Sequence, residues 1–208
     1  VSIARNEGLA FAKGKYICFL DSDDLWDQKK LKIQFCWMED NTDCQVCYTD
    51  EIWIRNGVRV NQMNIHRKYS GDIYLHCLPL CIVSPSSAML RIGLFDDIGD
   101  FDESLPACED YDLWLRISMK YEFELINEPL IIKKGGHADQ LSKKYWGMDR
   151  FRVVALKKLL DSNSLEGERL RLTRSELARK CSVLIKGFVK RGKKEEELHY
   201  RTIIKKYS

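Results

Sequence analysis

Two short acidic runs hold the residues best suited to chemistry. Asp21-Ser22-Asp23-Asp24 closes the apolar run Tyr16-Ile17-Cys18-Phe19-Leu20, and Glu109-Asp110-Tyr111-Asp112 opens a helical pattern. Carboxylates spaced as Asp21 and Asp23 repel each other unless a cation lies between them. Their hard oxygens suit Mg2+ or Mn2+, with phosphate oxygens completing the shell, so a diphosphate is the natural partner. The second run lies at a helix amino end, where the dipole favours negative charge and a carboxylate can also take a proton from a bound hydroxyl. Either run alone is explained as a helix cap. Together they supply a metal-held diphosphate leaving group and a base, the parts of a displacement in which the metal acts as Lewis acid.

The elements that must position these runs are read from periodicity and breakers. Val1 to Ile3 reads as the end of a strand or loop, followed by a helix over residues 6–13 that stops at Gly14. The run 16–20 is predicted as a central parallel strand buried on both faces. It would deliver Asp21 at its carboxyl end, where open α/β sheets place ligand-binding residues. Asp27 is expected to cap a helix with Leu31, Phe35 and Met38 turned inward. A buried strand over 45–49 and a hairpin of 52–55 with 58–60 around Asn56-Gly57 come next, since Asn-Gly suits a type I′ turn. A strand within 84–91, a short helix at 94–98, an ordered loop at 99–106 and a helix over 109–119 complete this part. From about Met148 the pattern is helices only, over 150–160, 170–190 and 195–205, with Gly192 between the last two. Strands alternating with helices, plus a hairpin, predict an α/β fold: a mixed sheet flanked by helices, with a helical C-terminal tail.

Composition narrows the class. A chain of 208 residues holds one substantial core and a small appendage but not two large domains. With 45% apolar and 31% charged residues it is neither disordered nor fibrous. The net charge of +3 is concentrated between Lys186 and Lys206. That stretch reads as a solvated helix face, or as a basic surface for anionic lipid or a partner copy. Nothing resembles the basic and aromatic interleaving of a nucleic-acid groove, so nucleic acid is not an expected partner. Eight cysteines in a long chain rich in Lys and Glu read as reduced thiols. Cys44 and Cys47 with Cys77 and Cys81 make the conceivable zinc set, but Cys47 and Cys81 fall in apolar stretches and are better explained as core residues. No run approaches the ~18 apolar residues of a membrane span. The expected location is cytoplasmic, or peripheral on the inner face of the membrane.

The sequence resembles family 2 glycosyltransferases, inverting enzymes of the GT-A fold, over about residues 1–142. The likeness is carried by Ala4-Arg5-Asn6-Glu7-Gly8, Phe19-Leu20-Asp21-Ser22-Asp23-Asp24-Leu25-Trp26, Lys30-Leu31 with Gln34, Gly99 with Phe101-Asp102-Glu103, and Glu109-Asp110-Tyr111-Asp112-Leu113-Trp114-Leu115-Arg116. The resemblance implies a GT-A domain over 1–147, opening inside the fold without the first strand-helix-strand that holds the nucleobase, and a helical extension over 148–208. It implies that Asp21 contacts the nucleotide sugar, that Asp23 holds the metal with help from Asp21, and that Asp110 deprotonates the acceptor with Glu109 beside it. It also implies that Arg5 and Asn6 line the nucleotide pocket, and it places His137 where some GT-A enzymes carry a late metal or phosphate ligand. The implied activity is metal-dependent inverting transfer of a sugar from a nucleotide-diphosphate sugar to a carbohydrate, lipid-linked or protein hydroxyl, as in polysaccharide biosynthesis. The alternatives are a non-catalytic sugar- or metal-binding relative and a GT-A-like nucleotidyltransferase, in which Glu109-Asp110 would have no duty. Trp53 and Trp146 are candidates to stack on a sugar, whereas Trp114 falls on an apolar helix position and reads as core.

Overall fold

A computed structural model describes residues 1–136 and 144–208 of the chain. The first helix, α1, runs Ser2–Phe11. It therefore starts four residues before the predicted one, and Val1 to Ile3 is not the end of a strand. The apolar run that follows behaves differently from its prediction. Only Tyr16–Ile17 (β1) pairs, and it does so antiparallel with a later strand at one end of the sheet rather than parallel at its centre. The Phe19 ring packs edge-on against Phe101 and Phe95, at 5.2 and 6.5 Å between centroids, and the chain leaves the ladder there. Leu20 is consequently 49% exposed.

Beyond the acidic turn come β2 (Leu25–Trp26) and α2 (Lys30–Asp40). The inward face of α2 is Lys30, Gln34 and Met38, while Leu31 and Phe35 stay exposed. The reason is polar. Gln34 Nε2 donates to the Ser87 carbonyl at 3.0 Å, and Lys30 Nζ lies 4.3 Å from the centroid of the Trp26 ring. Gln34 thereby supplies a donor to a buried carbonyl, which offsets part of what the exposure of Leu31 and Phe35 costs.

The predicted strand at 45–49 and the first arm of the hairpin are one element, β3 (Val46–Arg55). It turns through Asn56 and Gly57, whose φ of 49° and 78° are those of a type I′ turn, into β4 (Val58–Val60). The chain continues through a 3-10 turn at Asn64–His66, α3 (Tyr74–Cys77), a second 3-10 turn at Pro85–Ser87, β5 (Ala88–Arg91), α4 (Leu94–Ile98) and α5 (Glu109–Ser118). A thirteen-residue strand, β6 (Phe123–Gly135), follows where no strand was predicted. Its alternation is broken at Glu128-Pro129, opposite a register shift around Asp50, because proline donates no ladder hydrogen bond. Among the described residues six strands form one sheet in the order β1-β5-β3-β6-β2, with β4 on β3. The β3–β6 pair is parallel and the others antiparallel, so the sheet is mixed as expected.

The tail forms α6 (Asp149–Asp161), α7 (Gly167–Lys190) and α8 (Lys194–Tyr207), close to the predicted spans. Its Leu156, Leu184, Phe188 and Tyr200 join the same buried cluster as Tyr48, Leu90, Trp114 and Phe123 of the sheet and α5. A smaller cluster of Met38, Cys47, Met89 and Ile126 lies under α2. Cys47 and Cys77 thus sit in separate clusters, and Trp114, 1% exposed, is core.

Candidate active site

The two acidic runs meet in one cleft of about 1120 Å³. Arg5 of α1 joins them. Its Nη2 donates to Asp21 Oδ1 at 2.6 Å and its Nη1 to Glu109 Oε1 at 2.8 Å, with the guanidinium carbon 5.0 Å from the centroid of the Phe101 ring. Burial works against the Arg5 charge, but Asp21, Glu109 and Asp110 outweigh it and raise its pKa. Glu109 is driven the other way for a carboxylate: burial first, then the adjacent Asp110, push its pKa up despite Arg5.

The turn between β1 and β2 is fixed by Ser86. Its hydroxyl accepts the Asp21 N–H at 3.0 Å, and its carbonyl accepts Trp26 Nε1–H at 2.8 Å. This holds Asp21, Asp23 and Asp24 on the cleft. Asp24 is 4% exposed, and neither of its carboxylate oxygens has a well-formed hydrogen bond, although Ser86 and the Lys133 charge lie close enough to favour its ionised form. Burial pushes its carboxyl up to about 6.

On the opposite side Cys108 adopts a left-handed conformation, φ 63°, at the start of α5. Such a conformation costs a non-glycine residue about 1 kcal/mol, and it is held here by the surrounding core. The turn delivers Glu109 and Asp110 to the cleft. Asp110 Oδ1 accepts the Tyr111 N–H at 2.7 Å, and Oδ2 accepts the Cys81 thiol at 3.3 Å.

A third group of charges forms the floor. Glu51 of β3 accepts Ser84 Oγ–H at 2.8 Å and Trp53 Nε1–H at 3.1 Å, with Lys68 Nζ at 3.3 Å. Burial alone would raise the Glu51 carboxyl, yet Lys68 and Lys133 together with those two hydrogen bonds hold it at about 2. Lys133 of β6 completes the floor; burial disfavours its charge, and Glu51 and Asp24 more than restore it. Trp53 also lines the cleft, its ring 4.7 Å from that of His66.

Of the predicted site residues, Arg5, Asp21, Asp23, Glu109 and Asp110 come together here. Asn6 instead bonds the loop at 99–103: its amide donates to the Phe101 carbonyl and to Glu103, both at 2.9 Å, and accepts the Phe101 N–H. His137 lies outside the described residues. Among the described residues no three His, Cys, Asp or Glu side chains gather as a metal site. Sequence reasoning did not single out Asp24, Glu51 or Lys133 as site residues. The available signals were a glutamate inside a strand and a lysine closing the apolar run Leu130-Ile131-Ile132.

The chain belongs to glycosyltransferase-like family 2, whose family model matches residues 1–158. It is 30% identical over 130 residues to an uncharacterized glycosyltransferase of Methanocaldococcus jannaschii, covering 62% of this chain and 44% of that protein. It is 31% identical over 131 residues to the Escherichia coli UDP-Glc:alpha-D-GlcNAc-diphosphoundecaprenol beta-1,3-glucosyltransferase WfgD, covering 63% of this chain and 49% of that one. The chain therefore spans less than half the length of either relative. Among solved structures it resembles S. aureus TarS, with a TM-score of 0.60 at 17% identity over 86% of this chain and 30% of that one. For TarS 1-349 in complex with UDP the TM-score is 0.56 at 19% identity, covering 87% and 51%. These likenesses establish the GT-A-like fold. Among the described residues no helix is long and apolar enough to cross a membrane.

Proposed function

We propose that this chain carries the catalytic carboxylates of an inverting glycosyltransferase that moves a sugar from a nucleotide-diphosphate donor to an acceptor hydroxyl. The observation that carries the reading is Arg5, which ties Asp21 to Glu109 and so sets the two acidic runs on facing sides of one cleft. Asp110 is the base. As the acceptor oxygen forms its bond to the anomeric carbon, the hydroxyl proton passes to the Asp110 carboxylate, the bond from that carbon to the diphosphate oxygen breaks, and nucleoside diphosphate leaves. Attack from the side opposite the leaving group inverts the centre.

Asp23 and Asp21 would hold Mg2+ or Mn2+. Their oxygens are of the hard kind these ions prefer, and the burial that raises the carboxyl of the neighbouring Asp24 is a cost a nearby cation would offset. A bound ion would act as Lewis acid on the departing diphosphate. The E. coli relative's name, with its UDP-glucose donor and lipid-diphosphate-linked acceptor, supports a nucleotide-sugar donor here and favours a lipid-linked acceptor; the UDP complex of TarS supports the former.

The test uses the full-length protein with Mn2+ and a panel of nucleotide sugars. Asp110→Asn is expected to keep donor binding and lose transfer by about 10²-fold or more, while Asp23→Ala loses Mn2+-dependent donor binding. Unchanged turnover in both variants would reduce the acidic runs to helix caps.

A further inference from the structure

The segment between α3 and the 3-10 turn at Pro85–Ser87 is held by side chains from three distant parts of the chain. Tyr111 Oη of α5 donates to the Leu78 carbonyl at 2.7 Å, Lys180 Nζ of α7 to that of Pro79 at 3.0 Å, and Lys68 Nζ to that of Ile82 at 3.1 Å. All three donors are buried. A stretch whose carbonyls are each claimed by a buried donor has little freedom to shift, so whatever it projects into the cleft is fixed in place. What it projects is Cys81, on the cleft wall with its Sγ 3.3 Å from Asp110 Oδ2 and 3.2 Å from the Val83 carbonyl.

The thiol has one proton and two acceptors in reach, the Val83 carbonyl at 3.2 Å and Asp110 Oδ2 at 3.3 Å, and the charged carboxylate is the stronger acceptor. Burial and the Asp110 charge hold the thiol well above its usual range, so it keeps its proton. The two oxygens of Asp110 are therefore engaged unequally. Oδ1 is bound by the short Tyr111 N–H contact and Oδ2 by a long, weak S–H contact. A weak donor biases the rotation of a carboxylate while leaving a lone pair of its second oxygen open to a further proton.

We infer that Cys81 is a positioning residue for the reaction: its thiol sets the rotation of the Asp110 carboxylate so that Oδ2 meets the acceptor hydroxyl. This rests on Asp110 being the base. The other charged or titratable groups facing Asp110 are Arg5 of α1, Glu109, the Cys108 thiol and Lys133 of β6. All of them remain when Cys81 is replaced.

The experiment measures kcat, KM and their pH dependence in the full-length protein for Cys81→Ser, Cys81→Ala and Cys81→Val, with Asp110→Asn alongside and thermal unfolding of each. Serine keeps a donor; alanine and valine do not, and valine keeps bulk if alanine fails to fold. The donorless variants are expected to lose about tenfold in kcat with donor KM unchanged, and the acid limb of the rate profile moves up by about half a pH unit. Serine stays within about threefold of wild type. Wild-type kcat and profile in a folded donorless variant, with Asp110→Asn inactive, overturns the role of Cys81 alone. Equal losses in the serine and donorless variants overturn it too, because packing rather than the donor would then matter. An active Asp110→Asn brings down the assignment of the base, and this inference with it.

Discussion

Asp112 and Asp24 are almost equally inaccessible, 2% and 4% exposed, and their surroundings are opposites. Asp112 faces away from the cleft chemistry. Its Oδ2 accepts from Arg116 Nε at 2.9 Å and its Oδ1 from Lys158 Nζ at 2.8 Å, which ties α5 to the tail helix α6. Asp24, on the cleft, has no well-formed hydrogen bond to either oxygen, and only Ser86 and the Lys133 charge favour its ionised form against burial. Glu51 lies on the cleft as well, yet it belongs with Asp112, since Ser84, Trp53 and Lys68 surround it. A buried carboxylate with all its donors is a brace, and removing it leaves its partners stranded. One poor in donors opposes folding, because the nearby Lys133 charge and Ser86 only partly offset its burial.

Three substitutions put that comparison at risk. The largest expected effect is at Glu51. Glu51→Gln should destabilise the protein by ~3 kcal/mol at pH 7 in denaturant unfolding, because Lys68 is left buried without its counter-charge. The pH dependence follows from the depressed carboxyl. Its stabilisation is complete above the ordinary value of 4.5 and is lost as pH falls through about 2, so the gap between wild type and variant should narrow across that window. Asp112→Asn should cost ~2 kcal/mol, less than Glu51 because Lys158 is partly exposed and regains water, with donor affinity unchanged in a titration. The smallest effect has the opposite sign. Asp24→Asn should stabilise the metal-free protein by ~1 kcal/mol at pH 7, while weakening Mn2+-dependent donor binding. Destabilisation at Asp24 as large as that at Asp112 would erase the distinction.

The sequence made some of this visible and hid the rest for physical reasons. Asn56-Gly57 announced its hairpin because a type I′ turn is a local demand on two residues. The tail helices were legible because apolar residues recur at helical spacing along them, although Thr173 and Lys180 are buried among these on α7. Asp21, Asp23, Glu109 and Asp110 were legible as motifs, since their types and spacing already suggest the chemistry. The run at 16–20 misled because hydrophobicity alone does not say whether a residue pairs in a sheet or packs its ring elsewhere, as Phe19 does. The rotation of α2 was hidden because its inward face carries Gln34, whose partner, the Ser87 carbonyl, is distant in the chain. β6 escaped because Pro129 and the lysines after Ile132 break its alternation, although β3 pairs with it along nearly its whole length. The Cys81 contact and the bridge through Arg5 join residues far apart in the chain, and no local pattern encodes them.

That long parallel pairing also bears on the order in which the molecule assembles. Val46 lies opposite Phe123 and Arg55 opposite Gly135, so the central joint of the sheet closes a loop containing Cys81, Ser84, Ser86, Glu109 and Asp110. The β3–β4 hairpin and the helices involve only near neighbours and can form early. Closing a long loop before any pairing energy is gained is slow, and proteins dominated by such contacts fold slowly. The floor of the cleft therefore depends on that one long closure: without β6 docked on β3, Glu51 and Lys133 are not brought together.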